Sequence, residues 1–268
     1  MNGAVSTGEQ VVPEANSQSA IVSRMASGRI TWLGPLALLV GRSTLFIAAQ
    51  AVVAFIFVLR HHPSPWQAAA PWWSVYGNLA DAGCLALLVW FTRKEGLRLR
   101  DLIGRVRWRW GLDLFIGIGL LFVIFPFFIV VGKPASLICF GTPVPYLYPG
   151  LLAGRTLPLW ATIYSLSIYL LIWPATEEMT YQGYALPRVC ALCGSRWKAV
   201  ALVSFVFALQ HSFIPLIPDW RYIAWRFLAF WPAMVVMTSI YLRLRRLSPL
   251  IVAYLILDIS AAMITLKL

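Results

Sequence analysis

The chain has 268 residues, 60% of them hydrophobic and only 12% charged, with a mean hydropathy of +0.76. Soluble domains carry about 25% charged residues, so this balance excludes a soluble globular protein and leaves an all-α, polytopic membrane bundle. The net charge of +12 does not signal nucleic acid, because the basic residues alternate with apolar runs instead of gathering in one patch.

Residues 1–29 are rich in Ser, Ala, Gln and Asn and hold no long apolar run, which predicts a disordered cytoplasmic tail and not a signal peptide. From Ile30 to Leu59 the chain is almost wholly apolar, interrupted by Gly34-Pro35 and Gly41-Arg42. A bilayer needs about 20 residues, so the expectation is a short interfacial segment and then a first span over 43–59. Arg60-His61-His62-Pro63 ends it in a solvated turn. A second span follows over 73–91, with Trp72, Trp73 and Trp90 where aromatic belts sit. Asp81 is a single acid inside it, able to pair with a basic side chain on another span that the sequence does not identify.

The loop from Arg93 to Arg109 carries seven Lys and Arg against Glu95 and Asp101, and its alternating Arg105-Val106-Arg107-Trp108-Arg109-Trp110 has the pattern of an interfacial anchor. A third span over 111–131 and a loop over 132–157 follow, so residues 30–156 form an N-terminal unit of three spans. Residues 157–268 hold four more. The fourth starts near Pro158; Pro174 should kink it just before Glu177-Glu178, and Pro187-Arg188 should end the helix that resumes after them. The last three are expected over 199–214, 223–242 and 249–266. With the N-terminus in the cytoplasm, sixteen Lys and Arg fall inside, Arg42 and Arg188 among them, and six outside. That asymmetry predicts seven spans and an external C-terminus. The four cysteines imply no disulfide framework, and Cys190-x-x-Cys193 has no second pair to complete a zinc site. No internal repeat or glycine-rich phosphate loop points to a doubled transporter or an ATP-driven machine.

Three polar clusters remain in the C-terminal half. Glu177 and Glu178 are followed by Gln182, four residues after the second acid; Phe207 and His211 lie one helical turn apart; Tyr254 and Asp258 are spaced i, i+4. Each set therefore shares a helix face, and packed together they could enclose a wet cavity in which buried acids satisfy one another. Taken singly, each has a plain reading: the glutamates can cap a helix at the cytoplasmic surface, His211 can bond a neighbouring carbonyl, Tyr254 can be an ordinary core aromatic, and Asp258 can pair with a base.

A double glutamate, then F-x-x-x-H about thirty residues on, then an i, i+4 polar pair on the last span, resembles the CPBP (Abi) family of intramembrane glutamic endopeptidases. That family comprises CAAX prenyl endopeptidases and bacteriocin-processing or immunity enzymes, and its pattern reads EExxxR, FxxxH, then HxxxN or HxxxD. The resemblance covers residues 157–268, including Gln182-Gly183-Tyr184-Ala185-Leu186-Pro187-Arg188 and Ser248-Pro249-Leu250-Ile251. Glu177, Glu178, Phe207, His211 and Asp258 match; Gln182 stands where the family has arginine and Tyr254 where it has histidine. The resemblance implies a multi-pass protein of a bacterial plasma membrane that hydrolyses a peptide or lipidated protein tail without metal or cofactor. It implies Glu177 as base, His211 as its partner, and the last-span pair as oxyanion donors. Tyr254 can donate through its hydroxyl, Asp258 only when protonated. The two departures open a second reading, a catalytically impaired relative kept as a binding or immunity protein. A third, a proton or solute carrier using the acids as a relay, is weakened by the missing repeat.

Overall fold

The computed structural model describes residues 16–103, 110–143 and 157–266, and among these the protein is all helix, without a β-strand. The Arg/Trp alternation at 105–109 and residues 144–156 of the expected loop before Pro158 lie outside the described residues. In chain order the helices are α1 (Gln18–Ala26), α2 (Leu33–Leu59), α3 (Pro65–Ala69), α4 (Trp73–Lys94), α5 (Arg100–Ile103), α6 (Trp110–Phe140), α7 (Leu159–Ser165), α8 (Ile168–Glu178), α9 (Leu186–Cys193), α10 (Arg196–His211), α11 (Trp220–Leu244) and α12 (Ser248–Leu266). A π-helical segment, Met179–Ala185, joins α8 to α9.

Among the described residues, five helical stretches are long and apolar enough to cross a membrane: Leu33–Leu59, Pro65–Lys94, Gly111–Phe140, Leu159–Cys193 and Trp220–Leu244. α10 and the stretch Ser248–Ser260 of α12 are apolar but shorter. Against the seven spans expected, five stretches of spanning length are present among the described residues. The surface is apolar in the way lipid demands. Along α6, Phe115, Phe122, Val130 and Ile138 point outward, while Arg42, Asp81, Glu177, Glu178, Arg188 and Gln210 are buried inside the bundle.

Several expectations need correction. Residues 18–26 are not part of a disordered tail: they form α1, which Ser17 caps through its hydroxyl on the Ala20 amide. The buried Asn16 side chain donates to the Gly183 carbonyl at 2.9 Å and accepts from Arg188 at 3.3 Å, tying this end of the chain to the bundle. The first span is one unbroken helix, α2, because Gly34-Pro35 falls in its opening turn, where proline lacks no hydrogen bond that the helix requires. Arg42, counted among loop residues, is consequently buried in its interior. α6 continues through Pro126 and Pro134 to Phe140, beyond the predicted end at 131. Nor does Pro187 end a helix. It lies in the first turn of α9, and Arg188 is buried, donating to both carboxylate oxygens of Glu95 at 2.7 Å.

α8 runs through Pro174, and regular α geometry gives way only at Met179, directly after the two glutamates. α8 packs against α4 and α12, the π segment packs against α2, and α10 lies against α2 and α11. Glu177 therefore sits where helices from both halves of the chain converge.

Candidate active site

Glu177 occupies the penultimate position of α8 and is fully buried. Both of its oxygens are occupied by donors. The Trp173 indole N–H donates to Oε2 at 2.8 Å, and Gln210 Nε2 donates to Oε1. His211, the last residue of α10, brings Nε2 to 3.9 Å from Oε1, too far for a direct hydrogen bond. The same nitrogen lies 3.4 Å from the Tyr254 hydroxyl of α12, which also reaches Met234 sulfur at 3.4 Å. The structure thus gathers three of the predicted residues, Glu177, His211 and Tyr254, around one imidazole nitrogen from three helices.

Aromatic rings pack around His211 and Tyr254. Phe207 stacks on Tyr181 at 4.2 Å with planes 3° apart, and its other neighbours are His211 at 5.8 Å and Tyr254 at 5.9 Å. Phe230 stacks on the imidazole at 4.0 Å, and Arg226 donates to the His211 carbonyl at 2.9 Å, closing the end of α10. Phe207 is thus a wall of the site, one turn before the histidine as its spacing required.

The other predicted residues are near but differently engaged. Glu178 is fully buried, and neither of its oxygens has a hydrogen-bond partner among the described residues. Gln182 does not reach it: Nε2 donates to Thr238 Oγ1 of α11 at 3.2 Å, while Oε1 has no partner among the described residues. The pair spaced as glutamate and arginine in the pattern is therefore not joined. Asp258 has its Oδ2 enclosed without a hydrogen-bond partner among the described residues.

Four residues that sequence reasoning missed complete the surroundings of Glu177. Trp173 and Gln210 hold its carboxylate; Tyr181 donates to Gln210 Oε1 at 2.9 Å, and Arg42 donates to the same oxygen at 3.0 Å. Arg42 also gives Nη1 to Asp81 Oδ1 at 2.6 Å, which names the basic partner that Asp81 lacked in the sequence. Gln210 adjoins His211, and Trp173 is one turn before Glu177, a spacing from which both were legible; Arg42 lies 168 positions from Gln210, with no local signal. No group of three or more His, Cys, Asp or Glu residues that could hold a metal ion occurs among the described residues.

An uncharged donor pair around a buried carboxylate, a histidine just beyond hydrogen-bond range, and a phenol on the far side make an assembly that can move a proton. Residues 158–260 match the family model described as type II CAAX prenyl endopeptidase Rce1-like. No curated protein and no solved structure matches the chain. The matched stretch contains Glu177, His211 and Tyr254 together with the helices that carry them. Over residues 158–260, from α7 into α12, the chain is therefore similar to the CAAX prenyl protease (CPBP) family.

Proposed function

We propose that the protein is an intramembrane glutamic endopeptidase that hydrolyses a peptide bond in a membrane-associated or CAAX-type protein tail without a metal ion. The reading rests on the proximity of Glu177 and Tyr254 to the same imidazole nitrogen of His211 inside the helical bundle. Atoms 3.9 Å apart can both reach one water molecule at hydrogen-bond distance, so Glu177 Oε1 and His211 Nε2 are placed to hold the nucleophile between them. Glu177 takes one proton from that water as its oxygen forms a bond to the substrate carbonyl carbon. The carbonyl π pair moves to oxygen, and that oxyanion needs a donor already in place. Tyr254 can be that donor, because both of its present contacts are 3.4 Å long and its hydroxyl hydrogen is free to turn. Collapse of the intermediate breaks the C–N bond, and the proton held by Glu177 passes to the departing amine. Asp258, when protonated, is the second donor. Seven spans, a cytoplasmic N-terminus and a catalytic unit at 157–268 complete the proposal.

The proposal is tested by cleavage of a membrane-peptide library by the purified protein, against Glu177→Ala and in the presence of chelators. Chelator-resistant cleavage that Glu177→Ala abolishes is the expected result; cleavage surviving that substitution sinks the reading. One observation favours the alternative, a catalytically impaired binding or immunity protein: Glu178 is unpartnered among the described residues while Gln182 turns to Thr238. Under that reading, parent and Glu177→Ala would be equally inert and would bind the same membrane partner.

A further inference from the structure

Arg42 is fully buried in the apolar body of α2. Its Nη1 bonds Asp81, its Nε bonds Gln210, and its guanidinium lies over the Trp173 ring at 4.9 Å and the Phe46 ring at 5.1 Å. A charge placed this deep in a span is rare and marks function more often than packing. Pairing with Asp81 explains how that charge is tolerated. It does not explain the contacts with the two residues that hold Glu177.

The contact with Gln210 has a chemical consequence. A side-chain amide has an acceptor end and a donor end, and a half-turn exchanges them. Guanidinium carries five N–H donors and no acceptor, so only the oxygen of Gln210 can face Arg42. Tyr181 does not impose this choice, because a phenol can donate or accept. Arg42 therefore sets the direction of the amide, and the NH2 group is left facing Glu177 Oε1. The remaining donor on the carboxylate is the Trp173 indole, and its ring is the surface on which Arg42 rests. Both groups that orient Glu177 are thus governed by one residue of α2, outside the family-matched stretch.

We propose that Arg42, held by Asp81, is a positioning residue of the Glu177 site: it locks Gln210 with its N–H groups toward the carboxylate and so aims Oε1 at His211. It also brings to the site the fixed positive charge that is missing at Gln182. The inference rests on Glu177 as the base, and its test separates the two claims. Removing Arg42 alone would strand Asp81, so the variant is Arg42→Met with Asp81→Asn, studied in the full chain in lipid nanodiscs beside Arg42→Lys and Gln210→Ala. If the parent cleaves peptide, the double variant should lower kcat about tenfold or more with KM within about twofold. Adding Gln210→Ala to it should cost no more than Gln210→Ala alone, because both changes remove one device. Arg42→Lys, which also lacks an acceptor, should recover part of the loss relative to the double variant. Additive losses, or a double variant as active as the parent, overturn the proposal. A readout free of turnover runs alongside: the Gln210 side-chain ¹⁵N resonance, assigned by its disappearance in Gln210→Ala. It should move in the double variant and stay near the parent position in Arg42→Lys. If the parent does not cleave, the protease reading has failed on its own, and this resonance alone decides; an unmoved resonance in the double variant overturns the proposal.

Discussion

Tyr254 carries a hydroxyl where the family pattern has an imidazole, and everything asked of it depends on that one group. Tyr254→Phe keeps the ring stacked near Phe207 and removes only the donor, so turnover should fall by about 10² or more while thermal stability barely changes. Equal kcat in the two proteins would exclude it as the oxyanion donor. Restoring the family residues with Gln182→Arg and Tyr254→His should raise kcat, since arginine at 182 offers a charged, bidentate donor to Glu178, which has no hydrogen-bond partner among the described residues. At this scale the sequence was informative only where chemistry recurs at helical spacing. Phe207, His211 and Tyr254 stood out because i, i+4 pairs announce a shared face, and Glu177 because two adjacent acids close an apolar run. Arg42 was not: it looked like a loop residue beside Gly41, and its partners Asp81 and Gln210 are 39 and 168 positions away. The disengagement of Gln182 from Glu178 was equally invisible, because Thr238 competes for its amide from another helix.

Among the elements, α8 and α4 approach closely at one point. A Cβ added to Gly77 would lie 2.6 Å from the Trp173 ring, so Gly77→Ala must push the indole that holds Glu177. Overpacking of this kind costs about 1 to 3 kcal/mol, and loss of the Trp173 bond should appear as a drop in kcat with little change in KM. Cleavage at the parent rate would show that the indole is not needed where it stands. At the other end of α4, Glu95 binds Arg188 through both oxygens and Arg24 of α1 at 3.2 Å. Glu95→Ala strands a buried guanidinium and should destabilise by about 3 to 5 kcal/mol, read as a lower melting temperature in detergent. Helix positions were legible from hydropathy because lipid selects apolar residues over about 20 positions. Helix ends were not. The prolines at 35, 174 and 187 look like breaks, yet two fall in first turns, where no N–H is required, and α8 carries the third without ending. The π segment has no composition signal at all; it is recognised only from how α8 and α9 are joined.

For the whole molecule, the proposed orientation makes a direct prediction. Because α6 extends to Phe140, a topology reporter belongs at Gly141 and not within the helix at Lys133; it should report the outside, as should a fusion after Leu268. A cytoplasmic signal from both would invert the assignment. The balance of basic residues that suggested this orientation weakens slightly once Arg42 and Arg188 are seen to be buried, since neither is available to a cytoplasmic loop. The family match begins at residue 158, whereas the hydrogen-bonded side chains around Gln210 and Glu177 begin at residue 42. The molecule is therefore not modular in the way its sequence match suggests. A chimera that joins residues 158–260 to the first three spans of a protein of the matched family would inherit the glutamates, the histidine and the tyrosine without the arginine and aspartate of α2 and α4. Such a chimera should insert and fold yet cleave poorly until both residues are transplanted with it, which a side-by-side comparison of the two chimeras would measure.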